Sequence, residues 1–157
     1  MNKINNFFKF LKDKDGKEPP ILYKLLYDQE SLTPEDLRVE GDLNLNDTKI
    51  TSIPKGLEVW GFLDLENTNI SSLPDNLTVG TYLGLEDSKI VSLPDNLYVG
   101  SGLYIQYTNI NSIPNNLKVG GSLYMLDTPL AGRYTKDEIR RIIEDKGGWV
   151  KGDIVNH

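Results

Sequence analysis

Leu63-Asp64-Leu65-Glu66-Asn67-Thr68-Asn69-Ile70-Ser71-Ser72-Leu73-Pro74 decides the fold, because the chain repeats this frame every twenty residues. Five copies start at Pro34, Pro54, Pro74, Pro94 and Pro114. Leu37, Leu57, Leu77, Leu97 and Leu117 form one column, and Val39, Val59, Val79, Val99 and Val119 the next. Leu43, Leu63, Leu83, Leu103 and Leu123 follow, then Leu45, Leu65, Leu85, Ile105 and Met125. A hydroxyl column, Thr48, Thr68, Ser88, Thr108 and Thr128, keeps the same register. A unit this short cannot bury its apolar residues alone, so the copies stack and share one core. The Leu-x-Leu spacing is the period-two signature of a short strand with one face inward, and stacked copies of it run parallel. The hydroxyls are expected to point inward, bonding the amides of the turn and the hydroxyl of the next copy.

The frame L-x-L-x-x-T-x-I-x-S-L-P resembles the twenty-residue bacterial leucine-rich repeat over residues 34–132, and its phrasing also resembles repeat proteins of bacteria and their phages. It departs from that family in carrying Thr or Ser where the family's ladder has Asn, and Leu-x-Val-Gly where bacterial effectors have a second proline. The expected fold is a mainly β repeat solenoid: a leucine-rich-repeat-like stack of five units with a parallel sheet and helical caps. The alternative is a parallel β-solenoid. It rests on inward parity that runs from Leu77 to Leu85 apart from position 81, as a bent longer strand would have it.

Solenoid ends expose core and sheet edge and need covers. Thr135-Lys136-Asp137-Glu138 reads as a capping box opening a helix over about 135–146, with Ile139, Ile142 and Ile143 on one face. Gly147-Gly148 ends it, and Trp149, Val150 and Ile154 are expected to pack back. Residues 133–157 thus form a C-terminal cap. Residues 1–33 form an N-terminal helical cap or docking arm: Phe7, Phe8, Phe10 and Leu11 suggest one helix, Pro19-Pro20 a break, and Ile21 to Tyr27 a second apolar segment. Five lysines against three acids make the first twenty residues net +2, a pattern shared by capping and membrane-surface helices, of which the cap is preferred.

With 157 residues, 38% hydrophobic and 25% charged, the chain suits a single domain with a thin core. It has no cysteine, and its one histidine is His157, so disulfides, thiolate chemistry and a Ser-His-Asp arrangement are excluded. No apolar run is long enough to span a membrane and no secretory signal is recognisable, so the expected location is the cytoplasm. No cofactor, metal site or enzymatic activity is expected. Asp64 with Glu66 or Glu86 is the nearest approach to a carboxylate pair, and Asp42-x-Asn44-x-Asn46-Asp47 the nearest to a calcium loop.

Function is sought on the outward positions of the strand, which in leucine-rich-repeat proteins are the usual partner-binding surface. They grade from acidic to aromatic: Asp42, Asn44 and Asn46, then Phe62, Asp64 and Glu66, then Tyr82, Gly84 and Glu86, then Gly102, Tyr104 and Gln106, then Ser122, Tyr124 and Leu126. Tyr82, Tyr104, Tyr124 and Phe62 are candidate anchors; Asp42, Asp64, Glu66 and Glu86 would supply electrostatic selection. The competing role for the rings is packing across neighbouring strands. Residues 40–132 hold four lysines and eleven acids, net −7, which disfavours nucleic acid and favours a protein with a basic surface. The expected function is a non-catalytic protein-interaction module. The alternatives are a self-associating structural protein, including a phage-related one, and an acidic mimic of nucleic acid that inhibits an enzyme.

Overall fold

The computed structural model describes residues 21–157 and is a parallel β-solenoid built from two sheets. The apolar segment Ile21–Tyr27 forms helix α1; the calls on Phe7, Phe8, Phe10, Leu11 and the Pro19-Pro20 break lie outside the described residues. Each turn then contributes two two-residue strands: β1 (Arg38–Val39) and β2 (Leu43–Asn44), β3 (Glu58–Val59) and β4 (Leu63–Asp64), β5 (Thr78–Val79) and β6 (Leu83–Gly84). β7 (Tyr98–Val99) and β8 (Leu103–Tyr104), then β9 (Lys118–Val119) and β10 (Leu123–Tyr124), continue the series. The strands of the first sheet run β1-β3-β5-β7-β9 and those of the second β2-β4-β6-β8-β10, every one of these pairings parallel and in register with the repeat, and each sheet gains a sixth parallel strand from the C-terminal residues. The inward parity between Leu77 and Leu85 is thus realised as two strands on either side of a corner at Gly80-Thr81. The two-sheet cross-section is that of the alternative β-solenoid reading. At this corner the turns approach so closely that a Cβ on Gly100 would collide with the Gly80 carbonyl oxygen.

Val150 and Ile154 pack back into the core as expected, and they do so as a sixth pair of strands, β11 (Trp149–Val150) and β12 (Ile154–Val155). Leu123 pairs with Ile154 rather than with a residue twenty further on, because α2 (Pro129–Arg133) and α3 (Lys136–Asp145) are inserted into this turn. Thr135 and Glu138 form the capping box at the start of α3. Ile139 and Ile143 are buried in the core and Ile142 is partly buried. Arg140 donates from its two terminal nitrogens to the carbonyls of Val150 and Gly152, closing polar groups of the last turn that would otherwise form an open edge. At the other end Leu25 of α1 enters the core, and the buried Lys24 bonds Asp36 at 2.8 Å.

The core consists of the repeat's apolar columns, from Leu43 and Leu45 to Val150 and Ile154. The hydroxyl column is inward at Thr68, Ser88, Thr108 and Thr128, but its bonding differs from expectation. Thr48, Thr68, Thr108 and Thr128 donate to the carbonyl three residues earlier at 2.6–2.8 Å, closing each turn on itself instead of linking turns, and Thr128 alone of these also accepts from an amide as expected, that of Ala131 at 3.1 Å. In the Ser88 turn the backbone N–H makes that contact, and the Ser88 hydroxyl has no partner.

Each turn also needs two left-handed residues. Asp47, Asn67, Asp87, Tyr107 and Asp127 occupy one corner at φ between 52° and 58°; Gly56, Asn76, Asn96, Asn116 and Gly147 occupy the other at φ between 54° and 87°. Asn and Gly are the residues that enter this region at least cost. At the second corner the side chains form an asparagine ladder: Asn96 Nδ2 donates to Asn76 Oδ1 at 2.9 Å, and Asn116 Nδ2 to Asn96 Oδ1 at 2.8 Å.

Candidate functional site

The outer face of the second sheet brings most of the sequence-predicted residues together. Phe62 and Tyr82 sit in adjacent turns with stacked rings, centroids 4.8 Å apart. Tyr104 and Tyr124 stack at 4.7 Å with their planes nearly parallel. These pairs belong to different columns, and the ladder crosses between them where Tyr82 meets Tyr104 edge to face at 5.9 Å. Gly102 permits the crossing: a Cβ there would fall 2.8 Å from the Tyr104 ring. All four rings are half-buried and in contact with a neighbouring ring, so packing across neighbouring strands is one of their roles.

The carboxylates divide into two groups. Asp42 is exposed and lies at the acidic end, its Oδ1 accepting from the Phe62 amide at 3.0 Å. Asp64 accepts from the Glu66 amide and from Asn46 Nδ2, at 3.0 and 3.2 Å. These two carboxylates therefore also brace the backbone and the neighbouring turn. Glu66 is exposed, and the Glu86 carboxyl bonds the backbone of its own turn, at Leu85 and Glu86, without bracing a neighbouring one.

Between the rings is a cleft of about 200 Å³ lined by Asp64, Glu66, Tyr82, Gly84, Glu86 and Tyr104. It exists because Gly84 stands in the column of Asn44, Asp64, Tyr104 and Tyr124 with no side chain to fill its place. Burial, reinforced by the charges of Glu66 and Asp64, holds the Glu86 carboxyl above the usual carboxylate range. Burial also raises the Tyr82 hydroxyl, together with Asp64, Asp42 and Glu86, and the Tyr104 hydroxyl, together with Tyr124 and Glu86. Among the described residues no three His, Asp or Glu side chains converge to hold a metal ion.

Sequence reasoning placed Gly84 and Gly102 in the outward columns but gave them no role, although each is the loss of a side chain in an otherwise occupied column. It gave no surface role to Tyr98 or to Trp149, which it expected only to pack back; the two meet edge to face at 6.5 Å on the first sheet, with Lys151 over the Trp149 ring at 4.8 Å. Trp149 lies outside the regular period, so no column pointed to it. Comparison with protein families, with curated proteins and with solved structures finds no match for this chain. Among the described residues no helix is long and apolar enough to cross a membrane.

Proposed function

We propose that the chain is a non-catalytic protein-interaction module, acting in the cytoplasm, whose partner docks on the outer face of the second sheet. The observation that supports it is the four-ring ladder bordered by carboxylates, held on a scaffold whose strands are each paired in register to the next turn. Rings fixed by stacking lose little conformational entropy on binding, and the partly exposed carboxylates steer a basic surface toward them. The lysine-poor composition of residues 40–132 selects the same kind of partner.

The test is affinity capture from a bacterial lysate by the wild-type chain and by the Tyr82→Ala, Tyr104→Ala, Tyr124→Ala triple variant, with circular dichroism confirming that the variant is folded. A protein retained only by the wild type supports the assignment. Equal capture by both forms removes this face from consideration.

A further inference from the structure

The cleft at Gly84 combines features that select a particular group, and the inference rests on the interaction-module reading. Along the second sheet the order is Asp64, Gly84, Tyr104, Tyr124. Tyr124 covers one face of the Tyr104 ring. The opposite side of Tyr104 is the side of the Gly84 turn, where the Tyr82 ring meets it edge to face at 5.9 Å and where Gly84 contributes no side chain between the Tyr104 and Asp64 positions, two turn spacings or about 10 Å apart along the backbone. The cleft of about 200 Å³ that remains has room for one small planar group bordered by the two rings and the carboxylates. Its rim is acidic: Glu66 and Glu86 border it with Asp64, and no lysine or arginine is among its lining residues. A Cβ on Gly84 would lie 3.1 Å from Glu86 Oε2 and 3.2 Å from Asp64 Oδ1, so both carboxylates lean over the space the glycine leaves.

We propose that this cleft takes the guanidinium of an arginine side chain presented by the protein partner. A guanidinium is planar and stacks on an aromatic face, here the Tyr104 face turned toward Gly84, while its N–H groups fork to carboxylates at the edge, here Glu86 and Glu66. A compact ammonium satisfies the charge but not the flat gap. A bare metal ion lacks a converging ligand set. Binding would place a positive charge against three carboxylates that now repel one another.

The experiment titrates the full ¹⁵N-labelled chain at low salt with the peptide acetyl-Gly-Arg-Gly-amide, and with the same peptide carrying lysine or citrulline in place of arginine. Saturable shifts at the Gly84 amide and the Tyr104 ring with the arginine peptide are expected. Citrulline, which keeps the shape and lacks the charge, should produce none, and lysine should bind several-fold more weakly. Gly84→Val, which fills the gap, should abolish the shifts. Glu86→Gln, which keeps the shape of the site, should weaken binding about fivefold through loss of a charge-assisted bond. Absence of saturable shifts at Gly84, an equal response to citrulline or lysine, or unchanged binding by Glu86→Gln overturns the proposal. Partner capture that depends on the three tyrosines while the arginine peptide fails to bind overturns this inference alone and leaves the interaction module standing.

Discussion

Replacing Asn96 tests the physical basis of the stack most directly, because that residue has two separable roles. It sits at φ 59°, and its side chain donates to Asn76 and accepts from Asn116. Alanine removes both bonds, each contributing about 0.5 kcal/mol at this exposed position. It also places an ordinary side chain in the left-handed region, at about 1 to 2 kcal/mol. Asn96→Ala is therefore expected to lower unfolding stability by about 2 to 3 kcal/mol. Asn96→Gly loses the same bonds without the backbone strain, so it should be less destabilising than alanine by about 1 kcal/mol. The reverse change, Gly56→Asn, extends the ladder by one turn and gives the Asn76 Nδ2 an acceptor, a bond of about 0.5 kcal/mol that offsets the strain of a side chain at φ 87°, so stability should stay within about 0.5 kcal/mol of wild type. Urea unfolding followed by Trp60 and Trp149 fluorescence measures all three. Glycine at position 96 as damaging as alanine, or an alanine variant as stable as wild type, would refute the account of this corner.

Tyr107 occupies the other corner at φ 58°, where four turns have Asp or Asn, and its ring is 55% exposed. Tyr107→Asn should therefore stabilise by about 1 kcal/mol, and a lower melting temperature would show that the ring makes an unrecognised contribution. Thr68→Val removes the donor from the Leu65 carbonyl and should cost about 1 to 2 kcal/mol in urea unfolding, whereas Ser88→Ala, which removes an unpartnered hydroxyl, should change stability by less than about 0.5 kcal/mol. Glu86 has its folded-state pKa raised, first by burial, so the folded chain holds its proton to higher pH than the unfolded chain does. Stability should consequently fall as pH rises through the unfolded and then the folded pKa of Glu86, and Glu86→Gln should flatten that part of the stability-versus-pH curve. An unchanged slope in the variant would contradict the burial of this carboxyl.

The repeat made the core legible from the order of residues alone. The period of twenty aligned the inward leucines, valines and isoleucines, and stacked copies must present equivalent residues at equivalent heights, so each column had a single environment to satisfy. The capping box at Thr135 and Glu138 was equally local, needing only residues three apart. The Gly/Asn alternation at Gly56, Asn76, Asn96 and Asn116 also carried a local message, the demand for a left-handed residue, yet its ladder remained unseen until the corner was placed. The direction of the threonine hydroxyl was misread for a related reason. Sequence spacing shows that a hydroxyl is inward, but the choice between amide, neighbouring turn and carbonyl depends on backbone orientation within the turn.

Tertiary structure alone decided three matters. The inward parity from Leu77 to Leu85 was compatible with one bent strand or two, and the close approach at Gly80, Gly100 and Gly120 divides it into two sheets. Trp149 and Ile154 joined the stack although the period had lapsed, because an insertion in one turn leaves the exposed edge of the preceding turn still requiring partners. The cleft arose from an absence: Gly84 and Gly102 are silent in a list of acids and aromatics, and become informative only when the neighbouring turns show which space a missing side chain leaves and which ring moves into it. The sequence by itself therefore determined the repeat, the core and the residues of the outer face. Their arrangement into a cleft required the relative placement of adjacent turns, since a cavity is a property of the side chains around it and not of any residue within it.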